Sequence, residues 1–207
     1  MNKARNNILN KIRMALATPT PLPFPQAEGR ENPVQASSQD FVVDFAEQFS
    51  ALQGKFIFCL DKNELAQNLQ RLCGQNKWTK IYCGEKPLQS LLNPKTLHND
   101  IATCEASVTS CEALVARTGS ILLSSAQQGR VPSVYAPVHV CIASTSQLVY
   151  DIKDGLTRVK DKYKDALPSL LTLATGPSRT ADIEKTLVVG VHGPKEVYCF
   201  VVDDGAA

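Results

Sequence analysis

Six short apolar runs, "KFIFCL", "KIYCG", "SILLSS", "VHVCIAS", "SLLTLAT" and "EVYCFVVD", recur along a chain of 207 residues. Runs of this length, bounded by polar and Gly-containing segments, form strands rather than helices. Amphipathic segments separate several of them. "DFVVDFAEQFSALQG" puts Phe41, Val42, Phe45, Phe49 and Leu52 on one helical face, with Asp40 as N-cap and Gly54 just past the end. "DKNELAQNLQRLCGQN" does the same with Leu65, Leu69 and Leu72. Helical patterns also cover Cys111–Ala116, Gln147–Asp161 and Ala181–Val189, and "KFIFCL" reads as a buried strand. Strands alternating with helices predict an α/β domain whose largely parallel sheet is flanked by helices. The chain shows no internal repeat.

The first forty residues break this rhythm. Ile8, Leu9, Ile12 and Leu16 have helical spacing, and five prolines follow between Pro19 and Pro33. Proline cannot donate to a ladder or a helix interior, so residues 1–39 read as a helix and an extended arm, and residues 40–207 as a single domain. The arm either lies across its own domain, reaches a neighbouring subunit or acts as a linker. A formal net charge of +2 steers the whole protein to neither nucleic acid nor an anionic membrane; the basic residues are scattered apart from Lys3, Arg5, Lys11 and Arg13. "ILNKIRMAL" is interrupted by Lys11 and Arg13, which excludes a secretory core there, and no later run is long enough to span a bilayer. The seven cysteines include no C-x-x-C pair and lie mostly in apolar runs, so they read as reduced core residues of a cytoplasmic protein without a metal site or cluster of its own.

In parallel sheets ligands bind beyond the carboxyl ends of strands. Two strand ends carry Gly, hydroxyls and a cation. After "SILLSS" come Ser124, Ser125, Gly129 and Arg130; after "SLLTLAT" come Gly176, Ser178, Arg179 and Thr180. A close-approaching Gly, hydroxyls, a guanidinium and a following helix N-terminus would suit a phosphate or carboxylate. The alternative is structural: Ser178 or Thr180 caps a helix, and Asp182 and Glu184 complement its dipole. Asp182, Glu184 and His139 are the weak catalytic candidates. The two acids are two residues apart and would face different ways on a helix, while His139 and His192 are isolated. No Ser-His-Asp order, reactive-cysteine signature, P-loop or metal motif is present, which argues against a self-contained hydrolase or metalloenzyme.

From about Cys111 to Asp203 the chain resembles the LutC/YkgG family of lactate-utilization proteins, small members of the LUD-domain group. The resemblance rests on Thr118–Ser125 ("TGSILLSS"), Gly129–Arg130, Pro137–His139 and the pair "GPSRTADIE" and "GVHGP". It implies a fold like that of the ribose-phosphate isomerase and CoA-transferase superfamily. It also implies a part in oxidising L-lactate to pyruvate, beside an iron–sulfur oxidoreductase subunit and a larger LUD-domain protein that carry the clusters. On this reading the chain is an auxiliary or anion-binding subunit. The alternative is a stand-alone enzyme acting on a small phosphorylated or carboxylated metabolite. One departure stands out: family members often have an acid immediately before the Thr-Gly, and here it is Arg117.

Overall fold

The computed structural model describes residues 3–17, 40–181 and 187–205. The chain divides into two compact units, residues 1–36 and 37–207. In the first, α1 (Lys3–Leu16) is an amphipathic helix whose apolar side chains are largely exposed.

In the second unit the helices are α2 (Phe41–Ala51), α3 (Lys62–Gln75), α4 (Lys86–Gln89), α5 (Ser125–Gln128), α6 (Pro132–Tyr135) and α7 (Ile152–Tyr163). The strands are β1 (Lys55–Cys59), β2 (Ile81–Tyr82), β3 (Ala106–Thr109), β4 (Ala113–Val115), β5 (Ser120–Ser124), β6 (Val138–Ser144), β7 (Leu148–Val149), β8 (Leu171–Ala174), β9 (Arg179–Ala181), β10 (Leu187–Val189) and β11 (Glu196–Val202). A five-stranded sheet of order β1-β11-β6-β3-β2 is parallel throughout. A second sheet, β7-β4-β5-β8, pairs β5 antiparallel with both β4 and β8. Strands β9 and β10 form a separate antiparallel pair.

Alternation along β6 and β11 explains the layers. Cys141, Val197, Cys199 and Val201 point to a core shared with Phe45 and Phe49 of α2 and Leu114, Ile121 and Leu123 of the second sheet. Val140, Ile142, Phe200 and Val202 point the other way, onto Leu65 and Leu69 of α3. Both faces of the parallel sheet are thus covered, which is what its apolar runs require. Burial of each phenylalanine contributes roughly 1.5–3 kcal/mol. Asp40 caps α2 as expected, its carboxylate accepting the Val42 N–H at 2.7 Å, and the Gly54 N–H closes the helix on the Phe49 carbonyl. All seven cysteines are free thiols, and six are buried.

Four expectations are corrected. Cys111–Ala116 is not helical: Ala113–Val115 is a strand buried throughout, and so short an apolar run has no period by which to tell the two apart. In Gln147–Asp161 the helix starts only at Ile152, after a tight turn and β7. In Ala181–Val189 the described ends pair as β9 and β10, where the β-branched Thr180, Val188 and Val189 favour extended backbone. "KFIFC" is indeed a strand, but an edge strand with Phe58 exposed rather than a buried one.

The second sheet is joined to α2 through glycine. Gly119 follows a 3-10 turn at φ 60°, and a β-carbon there would lie 2.4 Å from the Phe49 backbone nitrogen. Gly119→Ala is therefore expected to cost at least about 2 kcal/mol, since it meets a left-handed φ and a backbone clash together. Gly74→Ala, in the exposed last turn of α3 with nothing within 4 Å, is expected to be neutral or to gain up to roughly 1 kcal/mol. Urea unfolding of both variants checks the pair.

His139 is the one buried imidazole among the described residues, 0% exposed between β3 and β11. Its Nε2 lies 2.8 Å from Thr109 Oγ1, and Nδ1 has no partner. The network assigns the proton to Nε2, because a bare buried acceptor costs less than an unpaired N–H. Burial pushes the imidazole down from 6.5 to about 4. A depressed histidine contributes stability that is complete above pH 6.5, where both folded and unfolded chains are neutral. That stability is lost as pH falls toward 4, because the unfolded chain takes up the proton first. Between pH 7 and 4.5 wild type is expected to lose about 2 kcal/mol more than His139→Gln, measured by urea unfolding at each pH.

Candidate functional site

β1, β3, β6 and β11 run the same way; Cys59, Val202 and Ser144 end in register, and β3 ends at Thr109, opposite Cys141 and three residues short of them. Beyond those ends lies a cleft of about 570 Å³, within the size range of small-molecule sites. Leu65, Leu88, Leu91, Ile142 and Val202 supply its apolar lining. Its polar lining comes from the segments that follow the strands: Asp61 and Lys62, Ser110, Ser144 and Gln147, Asp203 and Asp204. A larger hollow of about 670 Å³ lies beside Cys73 and Trp78 on the flank of α3, but it is away from the strand ends and no acid lines it.

The polar lining is tightly built. One Asp61 oxygen accepts the Asn63 and Glu64 N–H groups and caps α3. Ser144 and Gln147 form a capping box, and the Gln147 amide donates to the Cys111 carbonyl at 2.6 Å, tying this edge to the second sheet. Asp204 accepts from the hydroxyls of Ser146 and Thr145, bonds that hold its carboxyl below the usual range. Glu85 receives both the Ser110 N–H at 2.8 Å and its hydroxyl at 2.5 Å. The Gln127 side-chain amide also sits 2.9 Å from the Ser110 hydroxyl. One hydroxyl proton cannot serve two acceptors, so the satisfied arrangement has Ser110 donating to Glu85 and the Gln127 NH₂ donating to Ser110.

Sequence reasoning missed this edge. The strand-end rule belongs to parallel strands, and "SILLSS" and "SLLTLAT" are antiparallel neighbours in the other sheet. "LDKNE", "ASTSQ" and "VVDD", each following a parallel strand with acids or hydroxyls, are the signals that would have found it.

Of the first predicted loop, Ser124 turns inward: it is 3% exposed and donates to Glu112 at 2.5 Å. Ser125 begins α5, where its hydroxyl meets Ser169 and accepts the Leu170 N–H. Gly129 makes the turn at φ 81°, and Arg130 is exposed with no partner among the described residues. Gln127 brings this loop beside the cleft wall at Ser110.

The second loop lies elsewhere. In the β5–β8 register Ser124 faces Leu171 and Ala174 faces Ile121, so the two loops leave from opposite ends of the pair. Pairing does not bring Arg130 and Arg179 onto one wall. Nor does a helix follow Gly176 among the described residues: Arg179–Ala181 is strand β9, so neither Ser178 nor Thr180 stands at a helix start there. Instead Gly176, at φ 85°, passes within reach of the Leu52 carbonyl at the end of α2, and the exposed Arg179 guanidinium donates to that same carbonyl. A cation there complements the negative end of a helix. Ser178 exchanges backbone bonds with Pro194 and Gly190, so the two Gly-Pro pairs close the base of one hairpin. Thr118, Ser120 and Thr175 run a chain of hydroxyl bonds at 2.7 and 2.9 Å alongside.

Among the other candidates, His139 is buried and neutral, His192 is exposed in the Gly190–Pro194 turn, and Asp182 and Glu184 lie outside the described residues. Arg117 holds Asp151 bidentately, Nε to Oδ2 at 3.0 Å and Nη2 to Oδ1 at 3.2 Å, which lowers the Asp151 carboxyl at the start of α7. A further group went unforeseen. Glu112, 3% exposed, accepts from Ser124, from Lys162 at 2.8 Å and from Tyr163 at 2.7 Å. Burial alone would push its carboxyl up, but those three donors outweigh it and hold it below the usual range. The buried thiols are shifted the other way, as at Cys83, which burial raises to about 11.

With this geometry in hand, comparison with known proteins places the chain. A sequence model described as the LUD domain matches residues 42–202. Lactate utilization protein C of Deinococcus radiodurans is 33% identical over 111 residues, covering 53% of this chain and 51% of that one. Lactate utilization protein C of Bacillus licheniformis is 38% identical over 100 residues, covering 47% and 42%. The chain thus spans about half the length of the curated relatives it matches. In structure it is similar to a DUF162 family protein from Deinococcus radiodurans, with a TM-score of 0.60 at 19% identity, over 78% of this chain and 96% of the other. The LUD match extends across both sheets and all the strand ends that line the cleft, and the chain belongs to the LUD-domain family.

Proposed function

We propose that the protein is a component of an L-lactate utilization system and serves it as an auxiliary subunit rather than as the site of oxidation. The family and the relatives named lactate utilization protein C support the system. The observation that carries the auxiliary role is the charge around the cleft. Asp61, Asp203 and Asp204 line it against the single ammonium of Lys62. A lactate carboxylate entering there would lose water and gain like-charge neighbours, both unfavourable. Arg117 adds to this, since the place where family members often carry an acid holds a cation already committed to Asp151.

Oxidation then falls to partners: an iron–sulfur oxidoreductase subunit and a larger LUD-domain protein that hold the clusters. Among the described residues no three His, Cys, Asp or Glu side chains come together as a metal-holding group. A fold of the ribose-phosphate isomerase and CoA-transferase type and a cytoplasmic location belong to the same reading. The contact for a small anion is Arg130, the exposed cation on the loop whose Gln127 meets Ser110 of the cleft.

Deleting the gene is expected to abolish growth on L-lactate while sparing growth on pyruvate; unimpaired growth with no substitute paralogue would remove the lactate assignment. Purified alone, the protein is expected neither to bind L-lactate saturably in calorimetry nor to reduce a dye acceptor with it. Turnover in that assay would overturn the auxiliary role while leaving the system assignment standing.

A further inference from the structure

α1 carries a surface that the family reading does not use. Ile8, Leu9, Ile12 and Leu16 make one stripe along the helix, and Ile8, Ile12 and Leu16 are 59%, 49% and 74% exposed. At 3.6 residues per turn, Lys11 and Arg13 fall about 100° to either side of the stripe's centre, at its two borders. Arg5 continues the stripe one turn earlier, Asn6 lies at the Arg13 border, and Asn7, Asn10 and Met14 occupy the far face. No Asp or Glu precedes Glu28, so no acid within the helix neutralises its four cations. A helix of 14 residues without internal ion pairs is marginal in water and needs a surface on which to lay its apolar face.

We propose that α1 is an interfacial anchor that lies flat on an anionic bilayer and tethers the LUD domain through the proline-rich segment. Two features select a bilayer over a protein groove. Both borders of the stripe are basic, where long cationic side chains reach up to lipid phosphates while their stems stay in the apolar layer. The stripe itself is aliphatic and has no aromatic anchor residue of the kind that fits a discrete pocket. Lying on the surface also agrees with the finding that, among the described residues, no helix is long and apolar enough to cross a membrane. The near-neutral net charge of the whole chain does not oppose this, because attraction to an anionic surface decays within a Debye length and acts on the helix alone.

The test is flotation of the full chain with unilamellar vesicles of phosphatidylcholine, with and without about 30% phosphatidylglycerol. The protein is expected to float with the anionic vesicles and not with the neutral ones. Raising salt from about 0.05 M to about 0.5 M is expected to cut the bound fraction at least about fivefold. Ile12→Asp, and separately the pair Lys11→Glu with Arg13→Glu, are each expected to reduce binding at least about tenfold with the thermal unfolding of the domain unchanged. Absence of vesicle binding, equal binding to both vesicle types, or binding that survives Ile12→Asp would overturn the proposal. So would stripe-dependent capture of an acidic protein without lipid, which would assign the helix to a protein groove.

Discussion

Gly119 lets the turn between β4 and β5 meet the backbone of α2 at Gln48 and Phe49 with no side chain between them. Much of the domain hangs on this contact. It fixes the height of α2 above the second sheet, and with it the depth to which Phe45 and Phe49 enter the core shared by the two sheets. One turn further on, the end of the same helix is clasped again, where the Leu52 carbonyl takes the Arg179 guanidinium and Gly176 passes beside it. Two turns from separate parts of the chain thus converge on one helix end. Any group larger than hydrogen at Gly119 would lift the helix from both.

The family signature is therefore mostly architecture. Thr118, Gly119 and Ser120 form the turn against α2, Gly176 to Arg179 clasp its end, and the Gly-Pro pairs shut a hairpin base. Of the side chains that looked like an anion site, Arg179 binds the Leu52 carbonyl, Ser124 the Glu112 carboxylate and Ser125 the Ser169 hydroxyl, while Arg130 stays exposed. The parallel sheet carries the opposite character. Its carboxyl edge gathers turn-forming acids and hydroxyls around an open cleft, and Gln147 and Gln127 link that edge to the second sheet and to the loop after β5.

What could be read from the chain follows the range of the interactions involved. The amphipathic period of α2, its Asp40 cap and the strands "VHVCIAS" and "EVYCFVVD" depend on neighbours a few residues away, and they were legible. The division into two sheets was not. "SILLSS" and "VHVCIAS" have the same apolar pattern, and only long-range pairing assigns one to an antiparallel sheet and the other to the parallel one. That misassignment sent the ligand search to the ends of antiparallel strands, where the strand-end rule does not apply. Ala113–Val115 was too short to show a period, and the pairing of Leu187 with Ala181 overrode a helix-like spacing. Glu112 looked like any acid beside an apolar run; its partners Lys162 and Tyr163 arrive fifty residues later on α7.

Burial sorts the polar groups by role. Glu112 and His139 are nearly or wholly removed from solvent and shifted in ways that keep each in one protonation state near neutral pH, the first ionised and the second uncharged. A group fixed in one state is suited to holding β4 and β5 onto α7, or β3 against β6, and poorly suited to exchanging protons with a ligand. At the carboxyl edge the Asp61, Asp203 and Asp204 side chains organise turns yet still line an open cleft, where solvent and a ligand can reach them. A polar ligand that can donate hydrogen bonds to carboxylates meets its partners already oriented there, whereas a small carboxylate meets repulsion. The same charges that keep the turns in place thus select against a small carboxylate and in favour of a hydrogen-bond donor in this cleft.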